Sequence, residues 1–442
     1  MLVNHLKFFV NLLVFALVIV LPVKAGEYTR DSKVSPSSAK EYTGTIEHEF
    51  EEDVSLPKLG HWIEKLPEFI SESKLTPHLR AYSLSREFSD EEDPEAIAIG
   101  GELRYSSPLI RNTFSIDASY FTSHGIHDDG GDGTLLLGSN ASDINVLGRL
   151  TIKIPIQSLE LSLYRQEFNL PYLNKDDSRM IPNTHEAYVL RRKGTRLNFI
   201  AGQVTKIKQR DAESFISIAE AAGAENKKRG LSMAGMDYQL SGNSSIGAIN
   251  YYAWDTINIV YSELNFIHEW NDEIASNISG QFTHQKSIGD ELIGKFDTNQ
   301  YGVRLRTSYK NAILTLATTN TGSGSQISSP FGGRPSYLSL MREDFDRANE
   351  FGYLVGLSYN FSRIGLPELS AFTNIAWGNN AEDSVTNENL PDETEYNFTL
   401  DFRPKSGALN GFWLRTRYAY VDFEGGEDTQ DARVILNYEL PF

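Results

Sequence analysis

Strict two-residue alternation near the C-terminus constrains this chain more than any other feature. In Phe412–Phe423 the even positions Phe412, Leu414, Thr416, Tyr418 and Tyr420 are apolar or interfacial, and the odd positions carry Arg415 and Arg417. The closing stretch repeats the pattern. Ala432, Val434, Leu436, Tyr438, Leu440 and Phe442 share one face, and Arg433, Asn437 and Glu439 share the other. Successive side chains of a strand point to opposite faces, so one face meets an apolar medium and the other a polar one. A soluble sandwich would bury the first and wet the second. A membrane barrel turns the first to lipid and the second to a water-filled lumen. A chain that ends on an aromatic inside such a strand favours the barrel, whose final Phe442 then serves as an assembly signal.

The rest of the chain fits that reading. Lys7, the apolar run Phe8 to Val23 and the small-residue site Val23-Lys24-Ala25 form an export signal over residues 1–25. Asn11 interrupts the apolar run, which is shorter than the ~20 residues of a spanning helix. Residues 26–68 are acidic and aperiodic, as expected of a flexible periplasmic segment, and Leu59–Phe69, with Leu59, Trp62, Ile63 and Leu66, has the spacing of a short amphipathic helix at the barrel base. Removing 25 residues from 442 leaves 417, and residues 69–442 have room for about sixteen to eighteen strands of roughly ten residues each. Mean hydropathy is slightly negative, but alternating strands average polar and apolar faces, so this does not imply a soluble protein. Cysteine is absent, which excludes disulfides, thiolate metal sites and thiol catalysis. A net charge of −18 argues against nucleic acid as a partner.

Further strands read directly from the same period. Ile97, Ile99, Leu103 and Tyr105 alternate with Ala98, Gly100, Glu102 and Arg104, and Phe114, Ile116, Ala118 and Tyr120 with Ser115, Asp117 and Ser119. Ile144 to Ile154 alternates against Asn145, Arg149, Thr151 and Lys153. Tyr301, Val303, Leu305 and Thr307 face away from Arg304 and Arg306, and Tyr396, Phe398, Leu400 and Phe402 from Asn397, Thr399, Asp401 and Arg403. Residues 228–285 show no clear alternation. Short turns at Ser106-Ser107-Pro108, Tyr309-Lys310-Asn311 and Lys405-Ser406-Gly407 contrast with long polar loops at His124–Asp143 and Gly322–Glu350. Tight periplasmic turns and long external loops are the layout of an outer-membrane barrel.

No catalytic constellation emerges. His48, His185 and His268 each precede Glu without continuing as His-Glu-x-x-His, and no Gly-x-Ser-x-Gly elbow occurs. Asp128-Asp129-Gly130-Gly131-Asp132-Gly133 lacks calcium-loop spacing and reads as a solvated loop. No cofactor and no metal are expected. The chemistry-bearing residues are lumenal arginines. Arg80 and Arg86 share a strand face, as do Arg415 and Arg417, with Arg433 on the polar face of the next strand. Such guanidiniums either brace the wall against Asp and Glu or form a file of donors for a carboxylate. For Arg415 and Arg417 the second is expected, because the nearby acid on their own strand, Asp422, faces the lipid side.

These residues resemble the OprD family of substrate-specific outer-membrane porins. The resemblance runs from Phe69-Ile70-Ser71-Glu72-Ser73-Lys74-Leu75, Leu79-Arg80 and Arg86-Glu87-Phe88 through Arg179-Met180-Ile181-Pro182-Asn183-Thr184. It continues with Ser339, Asp344-Phe345, Arg347-Ala348-Asn349-Glu350, Gly365-Leu366-Pro367 and Leu414-Arg415-Thr416-Arg417. It implies an all-β, up-and-down antiparallel barrel of about 18 strands with inward-folded constriction loops. It also implies a basic ladder of Arg80, Arg86, Arg415, Arg417 and Arg433. One inward loop, bracketed by Pro171 and Pro182, would bring Tyr172, Asp176, Asp177 and Arg179 to an eyelet. The other would bring Tyr337, Ser339, Arg342 and Asp344. The chain departs from the family pattern at Gly356, Asn374 and Arg342, which thins the ladder.

The function implied is passive, selective diffusion of small polar, carboxylate-bearing solutes. A neutral-solute porin, with aromatic residues including Tyr172 and Tyr337 as stacking surfaces for oligosaccharides, is the alternative. A plugged barrel enzyme or adhesin is the third. Expected partners are the solute, outer-membrane lipid and lipopolysaccharide, and the barrel assembly machinery through the last strand, with the barrel a monomer or a trimer.

Overall fold

The computed structural model describes residues 72–87, 93–129 and 131–439. The export signal, the acidic segment to residue 68, the amphipathic helix expected at Leu59–Phe69 and Phe442 lie outside the described residues. Strands β1 (Lys74–Glu87), β2 (Glu95–Ser106), β3 (Ser115–Asp129), β4 (Ile144–Ile156), β5 (Leu159–Gln166), β6 (Thr184–Arg192) and β7 (Leu197–Lys208) form the first part of the wall. A two-residue strand, β8 (Ile216–Ser217), pairs only with the end of β7. The wall continues through β9 (Leu231–Ser241), β10 (Ser244–Ala253), β11 (Ile257–Asn271), β12 (Ile274–Ser287), β13 (Asp297–Tyr309) and β14 (Ala312–Thr321). It ends with β15 (Phe351–Asn360), β16 (Leu369–Asn379), β17 (Glu393–Phe402), β18 (Phe412–Phe423) and β19 (Thr429–Glu439).

Every pairing is antiparallel, β7 pairs directly with β9, and β1 pairs with both β2 and β19. The sheet is therefore an 18-stranded closed barrel with β8 as an extra strand, and closure removes the edges that would otherwise expose unpaired backbone to lipid. Among the described residues no helix is long and apolar enough to cross a membrane. The turns at Lys310-Asn311 and Asp272-Glu273 are two residues long and lie at the end where β1 begins and β19 stops. The opposite end carries the long connections, including 167–183, 209–230 and 322–350.

Alternation places side chains largely as expected. Leu79, Leu103, Val303, Leu357 and Phe398 are exposed on the outer face, where lipid would cover them. Strand β4 differs. Its register with β3 slips between Ser119 and Tyr120, so that Gly148 is an extra residue. Ile144 and Val146 point inward before that bulge, Arg149 and Thr151 after it, and Asn145 faces out rather than sharing their side. A Cβ at Gly148 would meet the Phe121 ring at 2.7 Å, so glycine permits the slip. The expected loop at His124–Asp143 is also shorter, because β3 runs on to residue 129.

Residues 228–285 form β9 to β12, and their unclear period has a physical cause. Met233, Ile249, Tyr251 and Ile259 are buried on the inner face, while Met236, Ile246, Leu264 and Phe266 are exposed on the outer face. Both faces are apolar because the inner one is covered by loops folded into the lumen.

Candidate functional site

Two long connections enter the barrel and narrow it. In the first, residues 167–183 between β5 and β6, the leading half buries Phe168, Leu170, Tyr172 and Leu173 against Val189, Ile200, Val204 and Ile259 of the wall. The Tyr251 hydroxyl donates to Pro171 O at 2.5 Å, and the Tyr172 hydroxyl shares a hydrogen bond with Thr283 Oγ1 at 2.9 Å. Tyr172 adopts φ +61°, an uncommon conformation for a bulky residue that these contacts hold in place. The trailing half buries Met180 and Ile181 against Tyr82, Leu84 and Phe121 on the other side of the lumen. This loop thus bridges two walls.

Polar contacts fix its middle. Arg80 on β1 donates to Asp177 Oδ1 at 2.6 Å and to Arg179 O at 2.6 Å. Tyr82 donates to Ser178 O at 3.2 Å, and buried Lys208 to Pro182 O at 2.8 Å. Asp176 pairs with Arg210. Burial pushes the Asp177 carboxyl up, but the Arg80 guanidinium outweighs burial and holds it below the ordinary carboxylate range.

The second loop, residues 322–350 between β14 and β15, docks on the first. Asn174 Nδ2 donates to Gly333 O at 2.8 Å, and Gly333 N–H donates back to Asn174 Oδ1 at 2.7 Å. Leu338 and Phe345 pack on Ala317, Leu354 and Ala376. Inward-facing Gly378 makes room, since a Cβ there would lie 2.1 Å from Glu350 Oε1 and 2.8 Å from the Phe345 ring. The loop tip then reaches β17 and β19. Glu395 accepts backbone N–H groups from Met341 at 3.0 Å, Arg342 at 3.1 Å and Glu343 at 2.7 Å. Arg433 Nη2 donates to Met341 O at 3.0 Å.

The arginines are brought to one wall as expected, on β1, β18 and β19, but most are engaged. Arg415 was expected to stay open to solutes. Asp422 does face outward, yet the neighbouring strand supplies Asp401, which takes Arg415 Nε and Nη2 at 2.7 and 2.8 Å. Arg86 and Arg433 both pair with Asp431, at 3.0 and 2.7 Å. Arg417 Nε donates to Thr399 Oγ1 at 3.3 Å and stands opposite Arg433 across the β18–β19 pair.

The expected eyelet residues separate into two groups. Asp177, Arg179 and Arg342 stand by the arginine wall, with Arg179 donating to Thr134 O at 2.8 Å and Arg342 close enough to Arg86 to repel it. Tyr172 and Tyr337 are 1% and 8% exposed, the second beneath the Arg304 guanidinium at 4.3 Å, so neither ring offers a lumenal stacking face. Ser339 donates to Asp344 at 2.5 Å, and Asp344 pairs with Arg334, so that carboxylate is met within its own loop. Glu395 and Asp431 are absent from the residues the sequence singles out, and Asp401 is placed there on the polar face without its pairing to Arg415. Their inward parity was the available signal.

No curated protein matches the chain. Solved structures do, over the whole barrel. OccK1 (OpdK) of Pseudomonas aeruginosa has a TM-score of 0.76 at 20% identity, covering 84% of this chain and 99% of that one. OccK9 (OpdG) of the same organism has a TM-score of 0.77 at 20% identity, covering 85% and 100%. OccAB4 of Acinetobacter baumannii has 0.74 at 20% identity, covering 84% and 98%. These establish the closed barrel fold. The family model for outer membrane porins of the OprD family matches residues 67–442. With its two inward loops and its arginine wall, the chain belongs to the OprD family of porins, substrate-specific channels of the Gram-negative outer membrane.

Proposed function

We propose that this porin passes small carboxylate-bearing solutes, drawn along Arg80, Arg86, Arg415, Arg417 and Arg433 toward the gap between the two inward loops. The observation that carries the reading is the crowding at Asp431. Arg86 and Arg433 both pair with this one carboxylate, and Arg179 stands close enough to act on it too. Carbonyl partners such as Thr134 O and Met341 O accept hydrogen bonds without cancelling charge, so the arginines outnumber the acid that serves them. A permanently charged planar donor suits a carboxylate, and several modest steps suit conduction better than one tight site. OpdK of Pseudomonas aeruginosa, which shares this fold, has been crystallised with vanillate, itself an aromatic carboxylate. The burial of Tyr172 and Tyr337 removes two of the stacking surfaces that the neutral-oligosaccharide alternative would use.

Two opposed variants test the reading. Asp431→Asn removes the shared counter-charge and should raise anion selectivity in reversal-potential measurements. Arg417→Gln should lower it and slow benzoate uptake into liposomes, with neutral sugar flux little changed. Selectivity unmoved by either variant would show the arginines to be wall braces alone.

A further inference from the structure

A second basic position lies away from the arginine wall. Arg304 and Arg306 both face the lumen from β13, five strands round the wall from β18. Their surroundings differ from those of the ladder. Arg306 stands opposite Asn277 on β12 and Thr315 on β14, and Arg304 opposite Ser279 and Ala317. All four flanking positions are neutral. Glu263, an inward acid two strands away on β11, is buried and accepts from the Tyr261 hydroxyl at 2.9 Å. Arg304 is itself buried, stacked over Tyr337 with its Nε making no hydrogen bond. Arg306 is half-buried, and its guanidinium has neither a hydrogen bond nor an ion pair among the described residues. It lies one inward position, about 6.6 Å, nearer the short-turn end than Arg304, and so on the periplasmic side of the Tyr337 contact.

We propose that Arg306 is an anion-binding step on the periplasmic side of the constriction, receiving a carboxylate as it leaves the loops. Keeping a guanidinium half out of water with no carboxylate beside it is unfavourable unless a mobile anion serves in its place. Arg304, stacked on Tyr337 beside it, adds a second positive charge that repels cations from the position and strengthens its pull on an anion. A step five strands round the wall from Arg415 also gives a departing solute somewhere weaker to go, which sustained flux requires. The solute class rests on the function proposed above, whereas the anion step does not.

The experiment uses the full barrel in planar bilayers under a potassium chloride gradient, with benzoate then added on the short-turn side. Arg306→Gln should lower the chloride-to-potassium permeability ratio about twofold, the scale of one unit charge acting across a narrow aqueous pore. Arg306→Lys should leave it near the parent value. Thr315→Glu places a carboxylate opposite Arg306 and should reproduce the Gln effect without removing the arginine. A ratio unchanged in both Arg306→Gln and Thr315→Glu overturns the proposal. If the ratio falls but benzoate blocks no form of the channel, the anion step stands and the carboxylate reading fails. If benzoate blocks the parent and both variants equally with the ratio unmoved, Arg306 is idle and the ladder alone carries the solute.

Discussion

Glu395 is the residue through which the second loop is held, and its loss should be visible one channel at a time. Its carboxylate collects three backbone N–H groups from the loop tip, and none of its surface is open to solvent. Hydrogen bonds to a charged acceptor are worth about 1.5–3 kcal/mol each, but three bonds to one carboxylate are not additive, and pore water can partly resolvate the freed donors. A loss of about 3 kcal/mol is therefore expected from Glu395→Ala, a shift of roughly 150-fold in the docking equilibrium. Arg433 on Met341 O and the Leu338–Phe345 packing remain. If docking of the tip is favoured by about 4 kcal/mol in the parent, the variant keeps about 1 kcal/mol and spends roughly 15% of its time undocked. Single-channel recordings should then show brief excursions to a larger conductance that the parent lacks. The chain contains no cysteine, so Arg342→Cys gives a unique thiol at the tip, which should react faster with a charged thiol reagent in the Glu395→Ala background. Identical step amplitudes together with identical labelling rates would refute the clamp. Glu395→Gln, which keeps an acceptor oxygen, should fall between the two.

Gly378→Val should displace the same loop from the other side, because the new side chain takes space held by Glu350 and Phe345. Overpacking of this kind costs about 1–3 kcal/mol, and the mean conductance should rise while the barrel remains heat-modifiable on gels. The first loop should instead respond to acid. A carboxyl held low in the folded state stabilises it above the unfolded value of about 3.9 and loses that contribution as pH falls through the lower folded value. The Asp177–Arg80 contact should therefore contribute no conductance change from pH 7 into the ordinary carboxylate range and act only below it. Asp177→Asn should show the acid behaviour at pH 7, and a transition near pH 6 would assign the response to another group.

What the sequence disclosed divides along the range of the contact. Parity is local, so the facing of Arg80, Arg86, Arg415, Arg417 and Arg433 was legible, and a bulge at Gly148 was enough to mislead it. Parity also failed over residues 228–285, where the inward face is as apolar as the outward one because Phe168, Leu170, Tyr172 and Leu173 cover it. Nothing near β9 to β12 announces that cover, since the covering residues belong to a loop about 60 positions earlier.

Register lies between local and long-range. Asp431 and Arg433 are two apart on one strand, so their shared face and their pairing could be read from spacing alone. Asp401 and Arg415 pair across the β17–β18 hairpin, and their midpoint falls at residue 408, within the turn that Lys405-Ser406-Gly407 marks. Counting outward from that turn meets Asp401 before any solute is needed to explain Arg415. Arg80 is different, because its partner Asp177 arrives on a loop 97 residues away and only the folded lumen joins them. An arginine in such a barrel is therefore a brace or a binding step according to what its neighbours in register carry. By that rule Arg415 braces first. Arg306, with Asn277 on one side and Thr315 on the other, has no carboxylate in register to brace against, which makes it the better place to look for a passing anion.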